Sequence, residues 1–258
     1  MEKQEQISYE DGNYTHEAVN SFIDNVDVND VNSVDGAISK LENDSFVNKL
    51  DANTVDGFYK KVISTANDVL TSKAVAALKK DAILRKFDNE HFKSLVNEIS
   101  DRWGNKTSLE MAKNLKIDAI LSKLDGVSLD TISNKILEKW DANTMTEMAK
   151  NLKIDAVLTK LDSKTTEAAV NKVSDTWNFS AILELAKSLK SQALLKKLDS
   201  DSLKSVVNKI LDKKNEECTK EILVNSNLAN MLDDKTKSRM NSINSSADDY
   251  LARNMEVF

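Results

Sequence analysis

Nucleophilic and metal chemistry have few candidate residues in this chain. His16 and His91 are its only histidines and Cys218 its only cysteine, and the three lie far apart in sequence. A serine or cysteine nucleophile needs a positioned base, and a zinc site draws on several Cys and His at short spacings. His91 stands where other parts of the chain carry Ser or Thr, which gives it a structural reading, and Cys218 reads as a small apolar residue of a C-terminal helix. The glycines Gly12, Gly36, Gly57, Gly104 and Gly126 are isolated, so no phosphate-cradling loop forms from them. Residues 27–36, DVNDVNSVDG, look like a calcium loop but fail on spacing. With Asp35 and Gly36 set at the turn of such a loop, its first ligand position falls on Val31. No enzyme, metal site or cofactor is expected.

Positive charge and indole rings, by contrast, recur at a fixed interval. Lys79, Lys116, Lys153 and Lys190 form one column spaced by 37 residues, and Lys86, Lys123, Lys160 and Lys197 form a second. A third column is Lys113, Lys150 and Lys187. On stacked helices these would draw basic stripes able to track a phosphate backbone, with Ala52, Asn89, Gly126, Ser163 and Ser200 as base readers. The simpler reading is a solvated face paired with acids such as Glu110 and Glu147. Trp103, Trp140 and Trp177 keep the same interval and read as inter-repeat packing residues, an exposed stacking or hot-spot role being the alternative.

The elements that would position these columns are themselves repeated. The segment 110–125, EMAKNLKIDAILSKLD, returns at 147–162 with changes only at Ile120/Val157 and Ser122/Thr159. An apolar-Asp anchor falls at Leu50-Asp51, Phe87-Asp88, Leu124-Asp125, Leu161-Asp162 and Leu198-Asp199, and Asp44, Asp81, Asp118 and Asp155 keep the same register. Several columns in one frame mark a helical array. After each anchor, a set such as Leu129, Ile132, Ile136, Leu137 and Trp140 has helical periodicity, and defines helix A. Thr54, Ser128, Thr165 and Ser202 are its N-cap candidates, with the anchor Asp competing. Helix B follows through the opening motif. Two helices per repeat is the favoured expectation; a break after Lys116, making a third short helix over 119–124, is the alternative.

The chain contains no proline, which favours helices over hairpins, and no run of about 18 apolar residues that would span a membrane. A single cysteine fits a reducing compartment, so a cytoplasmic location is expected. Residues 1–50 carry three Lys against eleven Asp or Glu, while 51–198 carry 24 basic against 20 acidic residues. An acidic start thus precedes a mildly basic middle.

The expected fold class is all-α: an α-solenoid of about six tandem 37-residue helical-hairpin repeats, with three helices per repeat as the variant. The expected divisions are a tail at 1–13, a divergent acidic first repeat at 14–50, regular repeats over 51–198, a degenerate repeat at 199–235 and a capping helix at 236–258. The pattern resembles the α-solenoid class in general, to which tetratricopeptide and HEAT arrays belong, without the signature residues of either. The function expected is a non-enzymatic scaffold for a protein or peptide. Nucleic-acid binding through the lysines and head-to-tail self-association are the alternatives.

Overall fold

Helix B is not one helix. The structure, a computed structural model, describes residues 14–243 except 103 and 140, and each repeat interval in it contains three helices. The first nine are α1 (His16–Asp24), α2 (Val31–Leu41), α3 (Asp44–Asn48), α4 (Ala52–Ser64), α5 (Asp68–Ala77), α6 (Asp81–Leu84), α7 (Asn89–Arg102), α8 (Asn105–Asn114) and α9 (Asp118–Lys123). The second nine are α10 (Gly126–Leu137), α11 (Ala142–Asn151), α12 (Asp155–Lys160), α13 (Ser163–Asp175), α14 (Phe179–Ser188), α15 (Gln192–Leu195), α16 (Ser200–Asp212), α17 (Glu216–Leu223) and α18 (Ser226–Met231). Residues 234–243 are helical as well, and the described residues contain no strand. The expected capping helix at 236–258 lies in part outside the described residues, which end at 243, and within them Met240 is buried.

The break explains itself at Ile117, whose extended backbone (φ -90, ψ 116) cannot continue a helix. Asp118 then enters the first turn of α9, where a carboxylate favours the free N–H groups, but it is not the cap. Ile154 and Asp155 repeat the arrangement at α12. The two-helix repeat is therefore corrected to three, and Lys116 and Lys123 do not share a continuous helix face.

The chain divides into two compact units, Met1–Leu124 and Asp125–Phe258, with the boundary inside an anchor dipeptide. In the first, helices of equal place in the frame pack in series: α1 on α4 and α4 on α7, α2 on α5 and α5 on α8, α3 on α6 and α6 on α9. In the second, α10, α13 and α16 form one series, α11, α14 and α17 another, and α12 packs on α15. Each unit buries its own apolar stripe, for instance Phe92, Leu95, Val96 and Ile99 on α7 and Leu129, Ile132 and Ile136 on α10. The first interval buries Val19 and Ile23 on α1 and Val26 just after it, while Ala18 and Phe22 lie half-buried.

The anchor Asp, not the Ser or Thr after it, caps helix A. Asp125 Oδ1 accepts from Ser128 N at 2.8 Å, Asp162 Oδ1 from Thr165 N at 2.6 Å and Asp199 Oδ1 from Ser202 N at 2.7 Å. The expected caps Ser128, Thr165 and Ser202 are thus the donors, and Ser128 and Thr165 are buried behind the Asp. Asp51 also stands at the cap position, but its carboxylate takes His16 Nε2 at 3.0 Å instead of a backbone N–H, and Thr54 caps nothing. His91, likewise, donates its N–H to Asp88 Oδ1 at 2.8 Å.

Backbone hydrogen bonds hold the Asp88, Asp162 and Asp199 carboxyls below the usual carboxylate range. A carboxyl whose folded pKa is depressed adds stability that is complete above its unfolded pKa and is lost as the pH falls through the folded value. The melting temperature is expected to stay level from pH 7 to about 5 and to fall steeply below about 4. Unchanged melting at pH 3 in a thermal scan followed by circular dichroism would exclude these caps as contributors.

Helix A ends in a turn. Ala66 (φ 53) and Lys214 (φ 51) are the described non-glycine residues in the left-handed region, and they stand four repeat lengths apart in the same column. Left-handed backbone disfavours a side chain by about 1–2 kcal/mol, part of which glycine returns through its freer unfolded chain. Ala66→Gly is therefore expected to stabilise by about 0.5–1 kcal/mol in urea unfolding.

Candidate partner-binding site

The column that contains Ala66 and Lys214 is the tryptophan column. Trp177 lies in it, immediately after Thr176, whose extended backbone ends α13. Trp177, expected as an inter-repeat packing residue, has a side chain that is 88% exposed. Trp103 and Trp140 lie outside the described residues.

Around Trp177 the second unit builds a shallow open groove of about 580 Å³. One wall is the start of α11, with Asp141, Ala142 and Met145, and the other is the α13–α14 turn with Asp175, Trp177 and Phe179. Asn178 ties the walls together, donating from Nδ2 to Ala142 O at 2.5 Å and to Thr146 Oγ1 at 3.1 Å while its Oδ1 caps α14 through Ser180 N. Phe179 is 43% exposed and Met145 is buried, so the groove has an apolar floor and an aromatic lip. Lys213, from the turn after α16, sets its Nζ 3.9 Å from the centroid of the Trp177 ring. Asp141 Oδ1 accepts from Thr144 N and Oγ1, and Asp175 Oδ1 pairs with Lys209 Nζ at 2.7 Å.

No family model, curated protein or solved structure matches this chain.

The lysine columns are placed differently from a phosphate-tracking stripe. Lys86 Nζ donates to Leu50 O at 2.7 Å, Lys123 Nζ to Phe87 O at 2.7 Å and Lys197 Nζ to Leu161 O at 2.7 Å. Each closes the carbonyl of an anchor residue 36 positions earlier, holding one repeat to the next. In the other column Lys153 pairs with Glu184 and Lys190 with Glu221, again across repeats. Lys116 stands in the turn between α8 and α9, Lys160 ends α12, and Lys79 is exposed after α5. Lys113, Lys150 and Lys187 pair within their own helices with Glu110, Glu147 and Glu184. The proposed base readers Ala52, Asn89, Gly126, Ser163 and Ser200 are the first residues of helix A, beside its cap.

Replacing Lys123 by Met keeps the aliphatic stem but removes the donor, and is expected to cost about 1 kcal/mol in chemical denaturation. An unchanged midpoint would mean that the bond to Phe87 O contributes nothing.

The remaining chemical candidates are quiet. Cys218 is fully buried, and burial pushes its thiol up to about 11, so it is protonated and a poor nucleophile at neutral pH. His16 faces Asp51 and His91 faces Asp88, both at the surface. Among the described residues no group of His, Cys, Asp and Glu is placed to hold a metal ion, and no helix is long and apolar enough to cross a membrane. Sequence reasoning missed Phe179, Lys213 and the Asp141–Asp175 pair. The available signal was that Ala66 and Lys214 share the tryptophan column, which marks it as a column where folding does not ask for an indole.

Proposed function

We propose that this chain is a non-enzymatic scaffold, an α-solenoid of three-helix repeats, whose turn column engages a protein or peptide partner. The observation that carries this reading is Trp177, an indole 88% exposed at the lip of a groove. Ala66 and Lys214 fill the same column without an aromatic ring, so the column does not require one. All three tryptophans of the chain fall in this column. Exposed aromatic rings beside apolar pockets supply much of the energy of protein recognition. The nucleic-acid reading is supported less well, since the ammonium groups of Lys86, Lys123, Lys153, Lys190 and Lys197 already have protein partners. Self-association has no specific support.

The test compares wild-type and Trp177→Ala chains in affinity capture from the cell of origin. Stability of the variant is expected to stay within about 0.5 kcal/mol of wild type, because the side chain it loses is solvated. A protein retained by wild type and lost from the variant is the expected result. Identical captured sets, or nucleic acid in place of protein, would remove the proposal.

A further inference from the structure

Which partner chemistry suits the groove is written in the groove itself. The ring of Trp177 already has a cation on it, Lys213 Nζ at 3.9 Å from the centroid, delivered by the next repeat of the same unit. That lysine is only half-buried and has no ion pair among the described residues. An exposed ammonium over an indole face is held by a weak attraction, on the order of a factor of two to five in occupancy, so a ligand of the same chemistry can displace it. Asp141 and Asp175 line the same groove, each using Oδ1 for its protein partners among the described residues. Lys209 neutralises one of the two carboxylates, so with Lys213 swung aside the groove has a net charge of about minus one. Phe179 and Met145 offer apolar surface that suits an aliphatic stem leading to a charged tip.

We propose that the Trp177 groove receives a lysine side chain from a partner peptide, and that Lys213 is a tethered stand-in occupying the cation position when the partner is absent. The proposal rests on the peptide-binding reading above and adds the charge of the partner. Its distinctive consequence is a sign. Removing Lys213 strengthens binding of a cationic segment, by freeing the ring face and deleting a like charge, whereas it weakens binding of an acidic segment or of a phosphate chain.

The experiment measures fluorescence anisotropy of three labelled Gly-Ser peptides bearing three lysines, three acetyl-lysines or three glutamates, at low salt, against the full-length chain. Wild type is expected to prefer the lysine peptide. Lys213→Met should tighten that peptide about two- to five-fold, and Trp177→Ala should loosen it by at least as much. Circular dichroism melts of both variants matching wild type exclude misfolding as the cause. Equal affinity for the lysine and acetyl-lysine peptides, weaker lysine-peptide binding by Lys213→Met, or no lysine-peptide binding at all overturns the proposal. Binding of the glutamate peptide that both variants lose would overturn the cation assignment while leaving Trp177 as a peptide-binding residue. If Trp177→Ala also leaves the captured partners unchanged, the broader reading falls with it.

Discussion

Phe92→Ala is expected to cost about 3–5 kcal/mol, among the largest losses of any single truncation in the first unit. The side chain is fully buried on α7 and lies in a run of edge-on rings, 6.2 Å from Phe87, which is in turn 5.9 Å from Tyr59. Truncation removes the ring's apolar area and leaves a void that its stiff aromatic neighbours fill poorly. Tyr59 has a second constraint, because its hydroxyl donates to Ala74 O at 3.1 Å and cannot shift into the void without releasing that bond. Because α7 packs on α4, energy lost there is felt mainly by these two helices, and hydrogen exchange should quicken most in α4 and α7. In the second unit the same column holds Leu129, Thr166 and Leu203, and Thr166, whose hydroxyl donates to Asp162 O at 2.7 Å, should lose much less on truncation to Ala. A Phe92→Ala midpoint shifted by under about 1 kcal/mol would mean that the ring run is not a cooperative core.

How far the sequence anticipates this structure depends on the range of the interaction involved. Helix periodicity is a local property, and sets such as Phe92, Leu95, Val96 and Ile99 announce their buried stripe directly. The break at Ile117 is also local, but both a cap and an intrahelical Asp satisfy Asp118, and only the extended Ile117 backbone separates them. Lysine columns look alike whether their ammonium groups meet water, phosphate or a carbonyl. That Lys123 closes Phe87 O depends on how successive repeats stack, which no window of one helix encodes. Trp177 shows the opposite lesson. Its hydrophobicity argued for burial, while its column mates Ala66 and Lys214 argued for a surface position, and the side chain is exposed although the backbone there is extended at Thr176 and not left-handed as at Ala66 and Lys214.

Asp68→Ala is the second large effect, expected at about 2–4 kcal/mol, and it tests whether one repeat caps the next. The cap position of α8 is Gly104, which has no side chain to cap its own helix. Asp68, from the first turn of α5, supplies the cap across the interface instead. Its Oδ1 accepts from Gly104 N at 2.9 Å and Thr107 N at 3.0 Å, and its Oδ2 from Lys106 N at 2.9 Å. Partial burial raises the Asp68 pKa, but bonds from Thr107, Lys106 and Gly104 outweigh it and hold the carboxyl below its ordinary value. Alanine would strip all three donors of a partner at once, and Thr107 is fully buried, so water cannot readily replace the loss there. Asp68→Asn, which keeps an acceptor without the charge, should lose roughly half as much and should flatten the acid limb of the stability profile. Gly104 supplies the sharper check. A Cβ there would lie 2.5 Å from the Asp68 carboxyl carbon, and the pinned carboxylate cannot withdraw without giving up its bonds. Gly104→Ala should therefore destabilise the wild-type chain yet be nearly neutral beside Asp68→Ala, a coupling that a double-mutant cycle in urea reads directly. Additive effects would mean that the glycine is required for some other reason, and that α8 does not depend on its neighbour for its first turn.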